Sequence, residues 1–173
     1  MIDRCQFTPD GSNPPFPVPI NDLCTVPTEE MAMLLANLVL GSDEASAKQK
    51  DILEIGTGSG YQAAILAERC RSLVSIDVCL DRSVAERLPA HVALIAANGY
   101  EYDTGEEFDG VLVTFGAHSL AVSWGLQLKQ GARLVVPIVR GNSSAISVYE
   151  RVGEQLKLIE VVAYAPFTKG VEA

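Results

Sequence analysis

The stretch "ILEIGTGSGYQAAILAE", residues 52–68, concentrates the residues of this chain best suited to chemistry. Gly56, Gly58 and Gly60 alternate with Thr57 and Ser59, a composition that lets a strand-to-helix turn fold tightly with its amides exposed. The dinucleotide fingerprint G-x-G-x-x-G sets its third glycine one position later, leaving room for a pyrophosphate, so the G-x-G-x-G spacing argues against that ligand. Glu54 argues the same way: a carboxylate repels a pyrophosphate and suits a cationic or amino-bearing molecule. Asp77 ends the next apolar run about twenty residues on, where an acid can accept both ribose hydroxyls. Asn98 and Gly99 close the run after that, an amide to contact adenine and a glycine to admit the ring. Glu54, Gly56, Thr57, Gly58, Ser59, Gly60, Asp77, Asn98 and Gly99 are therefore the candidate cofactor residues. An adenosyl group with an ammonium-bearing tail satisfies all of them, and S-adenosyl-L-methionine is the simplest such molecule. A nicotinamide or flavin dinucleotide, or a structural turn with no ligand, are the competing readings.

These residues need strands and helices to hold them. "DILEIG" is a short apolar run bounded by breakers, as expected of a buried parallel strand, and "YQAAILAERC" carries helical spacing. The alternation continues. "SLVSIDV", "VALIAAN", "FDGVLVTF" and "GARLVVPIV" read as strands, with "DRSVAERL" and "HSLAVSWGLQL" as helices between them. "SAISVYERVGEQLKLIEVVAYAPF" offers two strands around "RVGEQ" with no room for a helix, hence an antiparallel hairpin. The expected fold is α/β: a doubly wound, Rossmann-like, mostly parallel sheet ending in that hairpin. A dehydrogenase would instead continue the alternation into a substrate domain. Upstream, Thr28 is placed to cap a helix over "EEMAMLLANLVL" that Gly41 ends, and "GSDEASAKQK" reads as a polar linker. Residues 8–19 hold five of the nine prolines and predict an extended arm, so the chain divides into an arm over 1–24 and a domain over 25–173.

Length and composition bound the rest. At 173 residues and 48% hydrophobic the chain can bury one sizeable core. A net charge of −9 without any Lys/Arg cluster argues against nucleic-acid binding. No apolar run reaches the roughly twenty residues of a membrane span, and the N-terminus lacks the pattern of a secretory signal. Cys5, Cys24, Cys70 and Cys79 form no CxxC pair, and His91 and His118 complete no zinc spacing. Reduced thiols in a cytoplasmic protein and no metal are the expectation. Subunit number is left open.

The glycine stretch also resembles the first motif of the protein-L-isoaspartate O-methyltransferases, a family of the class I methyltransferase fold. "FDGVLVTFGA" is similar to that family's fourth strand, "QLKQGARLVVPIV" with Pro137 to its fifth, and "VVAYAPF" to its last. "PINDLCTVPTEEM" matches its substrate-side segment at Pro19, Ile20, Thr25 and Met31, so the resemblance runs from about residue 19 to 168. It implies methyl esterification of an isoaspartyl carboxylate in a damaged protein or peptide, the ester then closing to a succinimide. It also implies that Tyr61 and Gln62 lie beside the cofactor. The chain reads as a divergent, shortened member. Pro27 stands where the family places a serine hydroxyl, Asn98 where it has an acid, and Cys24 where it has a glutamine. The helix after the second strand is short and the N-terminal helical extension largely absent.

Methyl transfer from a sulfonium is an in-line displacement, which demands alignment more than acid–base catalysis. A carboxylate acceptor is ionised at neutral pH and needs no base. Thr25 and Thr28 are the candidate catalytic residues, each with a hydroxyl able to orient a carboxylate, although Thr28 could equally serve only as a helix cap. Two alternatives stay open: a small-molecule methyltransferase, the decarboxylating precorrin enzymes included, and a degenerate domain that serves as a cofactor-binding or interaction module.

Overall fold

The computed structural model describes residues 2–21 and 24–170; Asp22 and Leu23, within the segment matched to the substrate side, lie outside the described residues. A 3-10 turn at Arg4–Phe7 leads into two short strands, β1 (Val18–Asn21) and β2 (Cys24–Val26), which pair antiparallel. Then come α1 (Glu29–Leu40), α2 (Glu44–Ala47), β3 (Asp51–Ile55), α3 (Tyr61–Ala67), β4 (Ser72–Asp77), α4 (Arg82–Arg87) and β5 (Val92–Ala96). β6 (Phe108–Val113), α5 (Val122–Leu126), β7 (Leu128–Arg140), β8 (Ser143–Val152) and β9 (Gln155–Ala165) complete the chain. The main sheet has seven strands in the order β5-β4-β3-β6-β7-β8-β9, parallel from β5 to β7 and antiparallel thereafter. That is the doubly wound sheet with a closing hairpin that the alternation predicts.

Each face of the sheet builds its own core. On one side α1 and α3 bury Leu35, Val39 and Leu66 against Ile52, Leu112, Val135 and Ile146. On the other, Trp124 of α5 and Phe108 pack with Leu53, Ile55, Val113 and Leu134. Alternate residues of β3 serve alternate faces, as a strand's period of two requires. Thr28 caps α1, its hydroxyl accepting the Met31 N–H at 3.2 Å, and Glu29 and Glu30 occupy the first turn.

Three segments depart from the sequence reading. The linker contains α2, nucleated by Asp43 accepting the Ser46 N–H at 3.0 Å. The helix read over "HSLAVSWGLQL" shrinks to five residues, with Gly125 close against Leu156 and Leu128 already paired to Phe108 in the sheet. The proline-rich arm is not free: it ends in the β1–β2 pairing and is held by Arg4. That side chain is buried, and its guanidinium donates to the carbonyls of Pro27 (2.7 Å), Pro14 (2.8 Å), Phe16 (2.9 Å) and Val26 (3.3 Å) and to Asn13 Oδ1 (2.9 Å). Five oriented dipoles solvate the buried charge, and no carboxylate among the described residues bonds it. Phe7 then packs on Tyr61, ring centroids 5.4 Å apart, which ties the arm to α3.

Arg4→Ala removes every one of these donors and is expected to lower the unfolding free energy by about 3 kcal/mol. Arg4→Lys should recover less than half of this, because an ammonium cannot reproduce the planar fork. Urea unfolding of the three proteins, with proteolytic cleavage within residues 8–19 as a second readout, checks both statements.

Candidate functional site

In a doubly wound sheet the crevice lies at the carboxyl ends of the strands where the winding direction reverses. Here the chain runs outward from β3 to β4 and β5, then returns to β6 on the other side of β3. The reversal therefore falls between β3 and β6. The residues there are the turn 56–60, Asp77 after β4, Asn98 and Gly99 after β5, and Thr114 and Phe115 after β6.

The turn is packed on every side. Gly56 donates its N–H to Ile76 O (2.7 Å), Gly60 to Thr57 O (2.8 Å), and Gly58 to Asp77 Oδ2 (2.8 Å). All three glycines have positive φ, at 102°, 51° and 83°. A Cβ on Gly56 would meet Thr114 Oγ1 at 2.4 Å and one on Gly60 would meet Val84 at 2.7 Å, so neither position admits a side chain. Thr114 spans the crevice, its hydroxyl donating to Gly56 O at 2.5 Å. Asp77 uses its other oxygen to accept the Cys79 N–H at 2.9 Å. Each of its oxygens keeps a second lone pair for an incoming hydroxyl.

Glu54 has a different place from the one its motif position suggests. It is fully buried, and its side chain shares a face with Ser75, directly opposite in the parallel register. Ser75 Oγ–H donates to Glu54 Oε2 at 2.5 Å, and Thr57 Oγ1 lies 2.6 Å from Ser75 Oγ. A hydroxyl chain thus connects the turn to the carboxyl beneath it. Oε1 has no hydrogen-bond partner among the described residues. Burial, aided by the charge of Asp77 and opposed by the Ser75 bond, pushes the Glu54 carboxyl up to about 8. At neutral pH it holds a proton instead of presenting a charge.

The remaining candidates separate into two groups. Gly99 sits against Ile55, where a Cβ would meet Cγ2 at 2.3 Å, and its carbonyl accepts the Trp124 Nε1–H at 2.7 Å. Asn98 Oδ1 accepts the Tyr100 N–H at 3.0 Å. Tyr100, Phe115 and Trp124 form an aromatic wall behind them, centroids 5.0–6.4 Å apart. The segment after β9 closes over Phe115: Gly116 N–H donates to Thr168 O (2.8 Å) and Gly170 N–H to Gly116 O (3.0 Å). Ser59 is buried in the turn, its hydroxyl accepting the Tyr61 N–H at 3.2 Å. Gln62 points the other way, its Nε2 donating to Ala32 O of α1 at 3.1 Å, and Tyr61 packs with Phe7.

Thr25 and Thr28 occupy the corner between β2 and α1. Thr25 is exposed on the strand; Thr28 accepts the Met31 N–H and retains its own hydroxyl proton. Cys24 brings this corner to the turn. Its Sγ would lie 3.0 Å from a Cβ on Gly58, and burial together with Asp77 raises its thiol to about 11, opposed by the Ser59 N–H. Ser75, Thr114 and Phe115 line the candidate site without having been singled out in the sequence, and Cys24 joins them. Ser75 had a signal, a lone hydroxyl inside an apolar strand two residues before Asp77. A cleft of about 870 Å³ between α1, α2 and α3 is a separate feature, lined by Met33, Asn37, Lys48, Ile65 and Arg69 and by no member of the turn.

A seven-stranded sheet of this order, with a glycine turn and an acid at its switch point, is a class I methyltransferase fold. The model of the family "Protein-L-isoaspartate(D-aspartate) O-methyltransferase" matches residues 1–172, and the chain belongs to that family. It is 38% identical over 128 residues to a protein-L-isoaspartate O-methyltransferase of Opitutus terrae, covering 68% of this chain and 55% of that one. It is 35% identical over 150 residues to protein-L-isoaspartate O-methyltransferase 2 of Syntrophobacter fumaroxidans, covering 79% and 58%. The chain thus spans a little over half the length of these relatives. A Plasmodium falciparum crystal structure, described as a protein-L-isoaspartate O-methyltransferase in complex with S-adenosyl-L-homocysteine, superposes with a TM-score of 0.70 at 15% identity, covering 96% of this chain and 86% of that one. A second solved structure of that name gives 0.76 at 21% identity, with 99% and 59% covered.

The raised Glu54 carboxyl has a consequence for stability. The folded chain binds this proton more tightly than the unfolded chain, so its contribution is complete below the ordinary value of 4.5 and is lost as pH rises to about 8. Glu54→Gln keeps the shape and cannot titrate. Measured by urea unfolding from about pH 5 to about pH 8, wild type should lose stability relative to this variant; parallel curves would contradict the assignment.

Proposed function

We propose that the chain is an S-adenosyl-L-methionine-dependent methyltransferase that esterifies an isoaspartyl carboxylate of a protein or peptide. One observation supports the reading: Cys24 Sγ would lie 3.0 Å from a Cβ on Gly58, so the segment that carries Thr25 and Thr28 meets the glycine turn. The donor set fits the cofactor. Asp77 and Asn98 would hold its ribose and adenine, Gly99 and Phe115 would flank the base, and the Glu54 carboxyl beneath the turn keeps Oε1 unbonded among the described residues and open to a polar group. When bound, S-adenosyl-L-methionine supplies an electrophilic methyl group.

The protein's own part is alignment. The acceptor carboxylate is ionised at neutral pH, so no base is required. Both histidines are accordingly dispensable: His118 is exposed, and His91 lies 3.3 Å from Ala67 O at the far end of α3. Thr28, its oxygen fixed by the Met31 N–H, donates its proton to the acceptor carboxylate and so aims the free lone pair. Pro27 contributes no donor; its carbonyl is held by Arg4, which fixes the corner. The four unpaired cysteines suit a reducing compartment, and we place the protein in the cytoplasm.

Transfer of labelled methyl to an isoaspartyl peptide tests the reading, with the aspartyl peptide as control. Clear binding of S-adenosyl-L-homocysteine by calorimetry without any ester formation sinks the repair role and favours another acceptor. Asp77→Ala should weaken S-adenosyl-L-homocysteine by about tenfold to a hundredfold, through lost hydroxyl acceptance and a loosened Gly58. Thr28→Val should cost about 1 kcal/mol of stability as a lost cap and in addition lower kcat/KM at least tenfold, Thr28→Ser restoring both. A stability loss with unchanged kcat/KM would reduce Thr28 to a cap.

A further inference from the structure

The ring of Phe115 is wedged between two glycines. One edge faces the turn, with Cδ1 3.0 Å and Cε1 3.5 Å from a Cβ on Gly56. The other faces the segment after β9, with Cδ2 2.4 Å and Cε2 2.5 Å from a Cβ on Gly170. The two contacts differ in kind. Gly56 has a positive φ and is barred to side chains by Thr114 as well, whereas Gly170 has no positive φ and its backbone admits alanine. At position 170 it is the ring that excludes a side chain. Carbon atoms in contact rest about 3.5–4.0 Å apart, so a methyl there drives the ring roughly 1 Å off its place. The backbone on both sides of the wedge is held. Thr114 N–H donates to Ile55 O (3.0 Å), Ala117 N–H to Pro137 O (2.8 Å) and Val139 N–H to Ala117 O (2.9 Å), which stitch residues 114–117 to β3 and to β7. The closing segment is stitched to the same residues by the bonds of Gly116 with Thr168 and Gly170. It also joins the two cores: Phe167 packs on the α1–α3 side, and Gly170 meets Phe115 on the α5 side.

We propose that residues 166–170 form a strap that positions Phe115, and that the ring so placed sets the width of the crevice above the glycine turn. The inference rests on the cofactor reading of that crevice. Phe115 is half-buried, which leaves part of its ring to face a ligand. Tyr100 and Trp124 pack around it, centroids 5.7 Å and 6.4 Å away, and in a close-packed interior they deny it room to turn aside. A wall fixed in this way spares a ligand the cost of ordering it on binding. Gly170 is thus a positioning residue, acting through the space it leaves for the ring.

A double-mutant cycle read by calorimetric titration with S-adenosyl-L-homocysteine tests this. Gly170→Ala should weaken binding at least about tenfold, because the displaced ring intrudes on the site. Phe115→Leu should weaken it about fivefold, and in the double variant the alanine should add less than about twofold, since no ring remains to be moved. Circular dichroism of all three should match wild type. A readout without ligand stands beside it: trypsin cuts after Lys169, so release of residues 170–173, followed by mass spectrometry, reports how firmly the strap is held. Cleavage should be faster in Phe115→Leu than in wild type. Wild-type affinity in Gly170→Ala overturns the proposal, as does an alanine penalty of equal size with and without the ring. Failure of the wild type to bind S-adenosyl-L-homocysteine overturns the cofactor reading and with it the crevice role of Phe115, whereas unchanged cleavage of Phe115→Leu overturns the strap alone.

Discussion

Gly56 and Gly60 of the turn between β3 and α3 have no space for a side chain, and much of the molecule is arranged around that constraint. Thr114 presses on it from β6, Val84 from α4, Cys24 from β2, and Asp77 pins its middle amide from β4. Elements distant in sequence thus meet at five residues. The turn is less a loop carried by the scaffold than the point at which the two halves of the sheet, the arm and the first helix are brought into register. Its rigidity is what a displacement reaction needs, since the reacting atoms must be held in line and the backbone that holds them cannot relax.

Beneath that turn the chain stores an uncharged acid. Motif logic treats the carboxylate before the glycines as an anion offered to a ligand. The structure instead encloses Glu54 between the sheet and α3, satisfies one oxygen with Ser75, and leaves the other bare. Charge in such a place is costly, so the proton stays. The turn is thereby linked to an uncharged acid through hydrogen bonds, Thr57 and Ser75 forming the connection. The sequence argument took Glu54 for a charged group, because a residue type reveals its chemistry and not its solvation.

Legibility followed the range of the interactions. β3, α3, β4 and the hairpin are defined by local periodicity and turn residues, and each was readable from its own few positions. The position of Asp77 and Asn98 at the ends of β4 and β5 was readable too, because each closes its own apolar run. What was hidden depends on pairs far apart in sequence. Nothing local in "RCQF" announces that Arg4 will be buried among carbonyls of residues 14–27. Nothing in "YQ" tells that Gln62 faces α1 instead of the crevice. The shortness of α5 is likewise a tertiary outcome: β7 begins at Leu128 because Phe108 is there to pair with it.

The Arg4 clasp has an implication for how this sequence can change over time. Four of its five hydrogen bonds go to backbone carbonyls, which every residue supplies, and one to a side chain, that of Asn13. The arm is therefore recognised by its path and not by its composition. Substitutions along residues 9–17 that preserve the path leave the four carbonyl bonds in place and can remove only the Asn13 contact, whereas Arg4 supplies every donor of the clasp. Tolerance of substitution in the arm and dependence on one arginine are two sides of the same geometry. An alignment of close relatives would show them as a variable, proline-bearing stretch anchored to a fixed residue.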